Sequence, residues 1–226
     1  MTSDDPFRQR LVLLTTPLTD DEAEDALRRA LSGGDVASVL IDPAGREHAA
    51  FQMFAEKLVP IIQEAGAAAI VIDDTRIAGR IRADGVHLTA GDIEALGDAI
   101  ETHAPKMIVG GSGFETRHAA LEAGEAMPDY LLFGRLGQDA SETPHPKTLS
   151  MAEWWAAVVE LPCIALGART LDSVRAIAET GAEFIGLASF VFDEKGQEGD
   201  KVAEANRLLQ EKFEVEKAEA EERALA

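Results

Sequence analysis

Two aspartates, Asp73 and Asp92, and a glycine-rich run, Gly110-Gly111-Ser112-Gly113, are the residues of this chain best suited to chemistry. Mg2+ favours one or two carboxylates and takes its remaining ligands from water and substrate phosphates. Two aspartates delivered to one rim, together with a diphosphate, would make such a site. The glycines would let backbone amides approach an anion closely where a helix starts. Further candidates are His87, Arg135, Lys147 and His145, Gly167, Arg169, and the pair Ala188-Ser189. Simpler roles suit the same residues. Asp73 and Asp92 are good helix N-caps, glycines serve tight turns, and a lone histidine such as His87 can be a hydrogen-bonded core residue. Cys163 has no neighbouring histidine and reads as a small buried hydrophobe. The other histidines, His48, His103, His118 and His145, show no metal-ligand spacing. Nothing marks either carboxylate as raised in pKa, which a hydrolytic acid/base pair would need.

The elements that must position these residues alternate regularly. Apolar β-rich runs fall at 11–15, 36–41, 68–72, 85–88, 106–110, 130–133, 163–166 and 184–187. Each is followed by a helical pattern, predicted over 19–32, 50–65, 75–82, 91–103, 114–125, 150–159, 171–180 and 199–222. Thr19 three residues before Glu22 predicts a capping box at the first helix. The strands read as continuous apolar runs, as parallel strands covered on both faces do. Eight consecutive βα units predict a single (β/α)8 TIM barrel over about 10–192, and the count of eight disfavours an open doubly wound sheet. Active sites in such barrels form at the C-terminal ends of the strands. That rule places Asp73 after strand 3, His87 and Asp92 at strand 4, the Gly110–Gly113 run at strand 5, Lys147 in the loop after strand 6, Gly167 after strand 7, and Ala188-Ser189 after strand 8. The polar loop 134–150 is long for a βα connection, and loops of that length are often functional. Trp154-Trp155 is expected to pack the sixth helix on the barrel.

Composition narrows the function classes. The chain has 226 residues, is 46% hydrophobic, and carries 21 Lys+Arg against 41 Asp+Glu, for a net charge of −20. It can therefore bury a core, and it is a poor partner for nucleic acid or anionic membranes. One cysteine excludes an intramolecular disulfide framework or a multi-cysteine metal site. No apolar run approaches the roughly 18 residues of a membrane span, and the polar N-terminus has no apolar signal region, so a cytoplasmic protein is expected. The tail 193–226 holds 11 acidic and 6 basic residues. Its alternating charges predict an extra, solvated C-terminal helix.

The stretch IVIDDTRIAGRIRADGVHLTAGDI (Ile70–Ile93) resembles the thiamine-phosphate synthase family, including its thiazole tautomerase relatives. The family's Ala-Asp-Gly-Val-His-Leu motif is matched by Ala83–Leu88, and Asp73 and Asp92 fall at its metal-ligand positions. Ile108–Ser112 is similar to its fifth strand, Asp129-Tyr130 and Phe133-Gly134 to its sixth, Lys147-Thr148 to its Thr-rich loop, and Ile164–Gly167 with Gly181–Ser189 to its phosphate-binding end. The resemblance covers roughly residues 10–192. It implies a (β/α)8 barrel that joins hydroxymethylpyrimidine diphosphate to thiazole phosphate and releases diphosphate. It implies Mg2+ on Asp73 and Asp92, catalytic roles for Lys147, Ser112 and His87, and backbone contacts to phosphate from Gly110, Gly111, Ser112, Gly167, Ala188 and Ser189. The implied partners are small phosphorylated heterocycles, with homo-oligomerisation left open. The chain departs from the family pattern at several rim positions. Asp42-Pro43-Ala44 replaces Gln-Leu-Arg, whose Arg binds diphosphate, and Arg46 is the nearest cation in sequence. Ile72 replaces an Asn, Gly113-Phe114 stand where a His is usual, and Ala168 replaces a second Gly. The alternatives are a paralogue that binds a phosphorylated thiamine-related ligand without turnover, or a tautomerase-like isomerase. A barrel isomerase or aldolase of another kind lacks a strand-end Lys other than Lys147.

Overall fold

A computed structural model describes residues 7–225. Eight parallel strands close into a barrel in sequence order: β1 (Arg10–Leu14), β2 (Val36–Ile41), β3 (Ala68–Ile72), β4 (Gly85–Leu88), β5 (Ile108–Ser112), β6 (Tyr130–Phe133), β7 (Cys163–Leu166) and β8 (Phe184–Leu187). β1 pairs with β8 through Arg10↔Phe184 to Leu13↔Leu187, which closes the ring. The predicted TIM barrel is therefore the observed fold. Along each strand, alternate residues separate two apolar layers. Val12, Leu14, Leu40, Ile70, Ile72, Leu132, Ile164 and Leu166 fill the barrel, whereas Leu11, Leu13, Val39, Ile41, Val71, Leu131 and Ile185 face the helices. Both faces are buried, which is why the strands read as unbroken apolar runs.

The outer helices are α1 (Ala23–Ser32), α2 (His48–Glu64), α3 (Thr75–Ile81), α4 (Ile93–His103), α5 (Arg117–Glu125), α6 (Pro146–Val158), α7 (Leu171–Ala178), the single turn α8 (Ser189–Phe192), and α9 (Glu198–Leu225). Trp155 is fully buried and anchors α6, donating its indole N–H to Leu161 O at 2.7 Å and meeting Phe133 edge-on. Among the described residues no helix is long and apolar enough to cross a membrane.

Four local expectations are corrected. β5 runs over Ile108–Ser112 instead of 106–110. Pro105 follows a turn from α4, and Asp129 carboxylate fixes the start of pairing by accepting the Val109 N–H at 2.7 Å. The Thr19/Glu22 capping box does not form: α1 starts at Ala23, and only the Thr19 carbonyl serves, accepting the Glu22 and Ala23 amides. α6 starts at Pro146, because His145 caps the Lys147 N–H and proline is well suited to a first helical position. The loop after β6 therefore ends at residue 145, and Lys147 lies on a helix. Finally, α9 is solvated only in its second half. Val202, Ala205, Leu208 and Leu209 are buried, and Glu198, 2% exposed, grips Arg29 of α1 through two oxygens at 2.7 and 2.8 Å. That pair holds the Glu198 carboxyl at about 2, well below the usual range.

Candidate active site

The C-terminal rim is tied together strand by strand. Asp73 follows β3 with a left-handed backbone (φ 56°), a conformation that Asp tolerates better than most side chains. Its carboxylate accepts the Thr89 N–H at 2.8 Å and the Thr89 hydroxyl, fastening β3 to the loop after β4. Two residues on, the Gly91 N–H donates to Ser112 O at 3.0 Å. A Cβ at Gly91 would lie 2.6 Å from Gly113 O, and one at Gly113 would lie 2.5 Å from Thr89 O. These glycines thus let the loops after β4 and β5 touch backbone to backbone. Asp92 follows immediately and caps α4, its Oδ1 accepting the Ala95 N–H at 3.0 Å. The cap of α3 is Asp74, not Asp73. Asp73 and Asp92 are both exposed on adjacent rim loops. Each retains carboxylate lone pairs beyond these bonds, so the donor chemistry fits a hard divalent cation completed by water and phosphate oxygens. Among the described residues no three His, Cys, Asp or Glu side chains converge on one point.

Beneath the rim, His87, Ser112 and Tyr130 form a buried polar cluster inside the barrel. His87 Nε2 lies 2.9 Å from Ser112 Oγ, and Nδ1 lies 3.1 Å from Tyr130 Oη. The His87 and Tyr130 rings stack at 5.6 Å with an 8° tilt. Burial pushes the His87 imidazole down to about 3 and the Tyr130 phenol up, so both are neutral. Gly110 has a packing role: a Cβ there would sit 2.2 Å from the Tyr130 ring. Gly111 faces Leu96 and Phe114 instead. Both glycines lie within β5, flanked by β4 and β6, so their amides belong to the sheet and not to a ligand loop.

A cavity of about 250 Å³ opens beside this rim between the loops after β5, β6 and β7. Glu115, Arg135, Lys147, His145, Gln138 and Gly167 are among its lining residues. Arg135 and Lys147 share Glu115, at 2.5 and 3.4 Å, and these cations hold its carboxyl below the ordinary range. The loop after β6 then reaches along the rim to the ends of β7 and β8. Asp139 is 4% exposed, and its Oδ2 accepts the Ser189 N–H at 2.6 Å. Ser141 O accepts the Arg169 N–H, and Glu142 O accepts the Thr170 hydroxyl. The chain's own carboxylate thus occupies one of the amides expected to meet a phosphate. The Gly167 amide is likewise engaged, donating to Gly186 O at 2.8 Å. No sequence motif marked Asp139 or Glu115 as site residues, and Tyr130 stood out only as part of the sixth strand; the length of the loop after β6 alone pointed toward Asp139.

At strand 2 the mouth is acidic. Asp42 is buried, accepting the Thr16 hydroxyl at 2.6 Å and the Ala44 N–H at 2.8 Å. Arg46 does not reach back into the mouth. It bonds Asp20, Leu18 O and Pro43 O and lies over the Phe54 ring at 3.7 Å. The cations that line the cavity are therefore on the opposite side, at Arg135 and Lys147, while Arg169 after β7 is paired with Asp193. Burial, with the Glu183 carboxylate beside it, pushes the Cys163 thiol up, so it is no nucleophile.

Comparison with known proteins agrees with this architecture. The family model described as thiamine monophosphate synthase matches residues 11–191. A thiamine-phosphate synthase of Rhodospirillum centenum is 32% identical over 204 residues, covering 88% of this chain and 97% of its own length. Another, of Hyphomonas neptunium, is 30% identical over 210 residues, covering 90% and 95% respectively. The solved thiamine phosphate pyrophosphorylase of Pyrococcus furiosus shares the fold, with a TM-score of 0.73 at 24% identity and coverage of 90% and 96%. The match runs from β1 to α8 and includes every rim loop described above, and the chain belongs to the thiamine monophosphate synthase family.

Proposed function

We propose that this chain is a transferase that joins hydroxymethylpyrimidine diphosphate to thiazole phosphate and releases diphosphate. The observation that carries the reading is the family match over the whole barrel, with relatives named thiamine-phosphate synthase aligned over nearly their full length. In this reading Asp73 and Asp92 hold Mg2+, which when bound neutralises charge on the diphosphate. Lys147 and Arg135 add positive charge beside it, and the Ser112 hydroxyl donates a hydrogen bond to it. As the carbon–oxygen bond to diphosphate breaks, the pyrimidine methyl carbon becomes cationic, and the thiazole nitrogen supplies the electron pair for the new carbon–nitrogen bond. The thiazole phosphate lies at the ends of β7 and β8, where it takes the Ser189 N–H and displaces Asp139. Asp42 and Ala44 give no cation at strand 2, so the diphosphate leans on the metal and on the β6 side. The test is steady-state turnover of wild-type protein with both substrates and Mg2+, beside Lys147→Ala and Arg135→Ala. Removing either cation is expected to raise KM for the diphosphate substrate; wild-type turnover that both variants leave unchanged would refute the placement.

A further inference from the structure

The backbone amides directly after β7 are all engaged within the chain. The Gly167 N–H donates to Gly186 O at 2.8 Å, the Ala168 N–H to Ser173 Oγ at 3.0 Å, and the Arg169 N–H to Ser141 O at 3.0 Å. A phosphate at the ends of β7 and β8 therefore meets no free amide on the β7 side, and taking one would break a bond already made. What the β7 loop offers instead is a side chain. The half-exposed Arg169 guanidinium donates from both Nε and Nη2 to a single oxygen, Oδ2 of Asp193. Asp193 closes α8, its own N–H donating to Ser189 O at 3.1 Å. This pairing orients the guanidinium plane and leaves Nη1 without an acceptor among the described residues. The surroundings of Arg169 also show where an anion sits. Besides Asp193, the Asp139 and Glu142 carboxylates act on the guanidinium and favour its charged form. Asp139 is the buried one of these, 4% exposed, and its Oδ2 holds the Ser189 N–H at 2.6 Å. A carboxylate is costly to bury without compensating donors or charge. One carboxylate thus lies both against the Ser189 amide and in the field of Arg169, as a phosphate oxygen would.

We propose that Arg169 is a specificity-determining residue whose guanidinium, braced by Asp193, recognises the phosphate of thiazole phosphate at the ends of β7 and β8. The planar guanidinium fork matches phosphate oxygens, and it supplies there the charge that the engaged amides after β7 do not. The phosphate enters as Asp139 leaves, so beside Arg169 one anion replaces another and the cation is never left without a counter-charge. Asp193 keeps its place throughout and acts only by holding the guanidinium. This inference rests on the reading that thiazole phosphate is a substrate seated at β7 and β8.

Two substitutions break the same ion pair and separate this role from a merely structural one. Arg169→Met removes the cation, whereas Asp193→Asn removes its partner and leaves the cation in place. Titration calorimetry of the full chain with thiazole phosphate measures both. Arg169→Met is expected to weaken binding by roughly tenfold, about the worth of one hydrogen bond to a charged group, with Arg169→Lys recovering part of the loss. Asp193→Asn is expected to bind at least as tightly as wild type. The unphosphorylated thiazole alcohol should not distinguish the variants from wild type. In turnover, Arg169→Met should raise KM for thiazole phosphate and leave KM for the diphosphate substrate unchanged. Equal losses in Arg169→Met and Asp193→Asn would reduce Arg169 to a brace for α8 and overturn the proposal. So would wild-type affinity in Arg169→Met, an equal loss of alcohol binding, or a wild-type chain that does not bind thiazole phosphate. Wild-type binding without formation of thiamine phosphate would count against the synthase reading alone, because the calorimetric comparison needs no turnover.

Discussion

Asp139 offers the sharpest quantitative handle on ligand binding. Its buried carboxylate holds the Ser189 N–H at 2.6 Å, at the place where the proposed function seats the thiazole phosphate. A hydrogen bond to a charged group is worth about 1.5–3 kcal/mol net. In the free protein that bond is made internally, and a phosphate that takes the same amide must first break it. Asp139→Ala leaves the Ser189 amide without its competitor, whereas the phosphate-bound state still satisfies it. The affinity for thiazole phosphate should therefore rise by roughly 10- to 150-fold. Asp139→Asn keeps an acceptor without the charge and should give a smaller gain. Titration calorimetry on both variants measures the effect, with the unphosphorylated thiazole alcohol as a ligand whose affinity should not gain. Circular dichroism checks that the barrel persists. Unchanged or weaker phosphate binding by Asp139→Ala would refute the reasoning, because it would mean that the phosphate does not compete for this amide.

Three further outcomes follow from the geometry. The Glu198 carboxyl is held near 2 against an ordinary 4.5, so its contribution is present above pH 4.5 and lost as pH falls toward 2. That drop corresponds to at most about 3 kcal/mol, reduced to about 1–2 kcal/mol because Arg29 is 39% exposed and solvent screens the pair. Glu198→Gln should lower the unfolding free energy by that amount at pH 7, and the gap should narrow steadily as pH falls from 4.5 toward 2; an equal gap at pH 7 and pH 2.5 contradicts the assignment. Gly110→Ala puts a Cβ 2.2 Å from the Tyr130 ring and should destabilise by about 1–3 kcal/mol in chemical denaturation, with loss of the His87–Tyr130 stack in NMR. A wild-type midpoint would show that the ring has room to move. Asp73→Asn should abolish Mg2+-dependent binding of diphosphate in calorimetry while leaving the melting curve intact, whereas unchanged Mg2+ dependence would leave Asp73 only its bonds to Thr89.

The barrel was legible because its signals are local and repeated. Each strand is an unbroken apolar run covered on two faces, and each is followed by a helical period, so counting to eight already specified closure. The candidate site was legible in part for the same reason: strand ends place Asp73, Asp92, Ser112 and Ser189 on one rim. What stayed hidden depends on contacts across the sequence. Gly110 reads as a ligand-loop glycine until the Tyr130 ring, twenty residues away, is seen to lie against it. Asp139 is one acidic residue among many in a polar loop, and only the folded chain brings it to an amide fifty residues later. Arg46 offered a substitute for the cation missing at Ala44, but Asp20 and two carbonyls from the neighbouring loops hold it elsewhere. The start of α6 was missed because Pro146 suggests a loop, although the first helical position tolerates it. The net charge of −20 is compatible with an anionic substrate once its distribution is known, since Arg135 and Lys147 stand together beside the cavity.

The most direct measurement is the product balance of the purified wild-type chain given hydroxymethylpyrimidine diphosphate, thiazole phosphate and Mg2+. Equal amounts of thiamine phosphate and diphosphate, formed only when both substrates are present and lost on chelation of the metal, are the expected result. Diphosphate released without thiamine phosphate, or no product at high protein concentration, would contradict the proposed function.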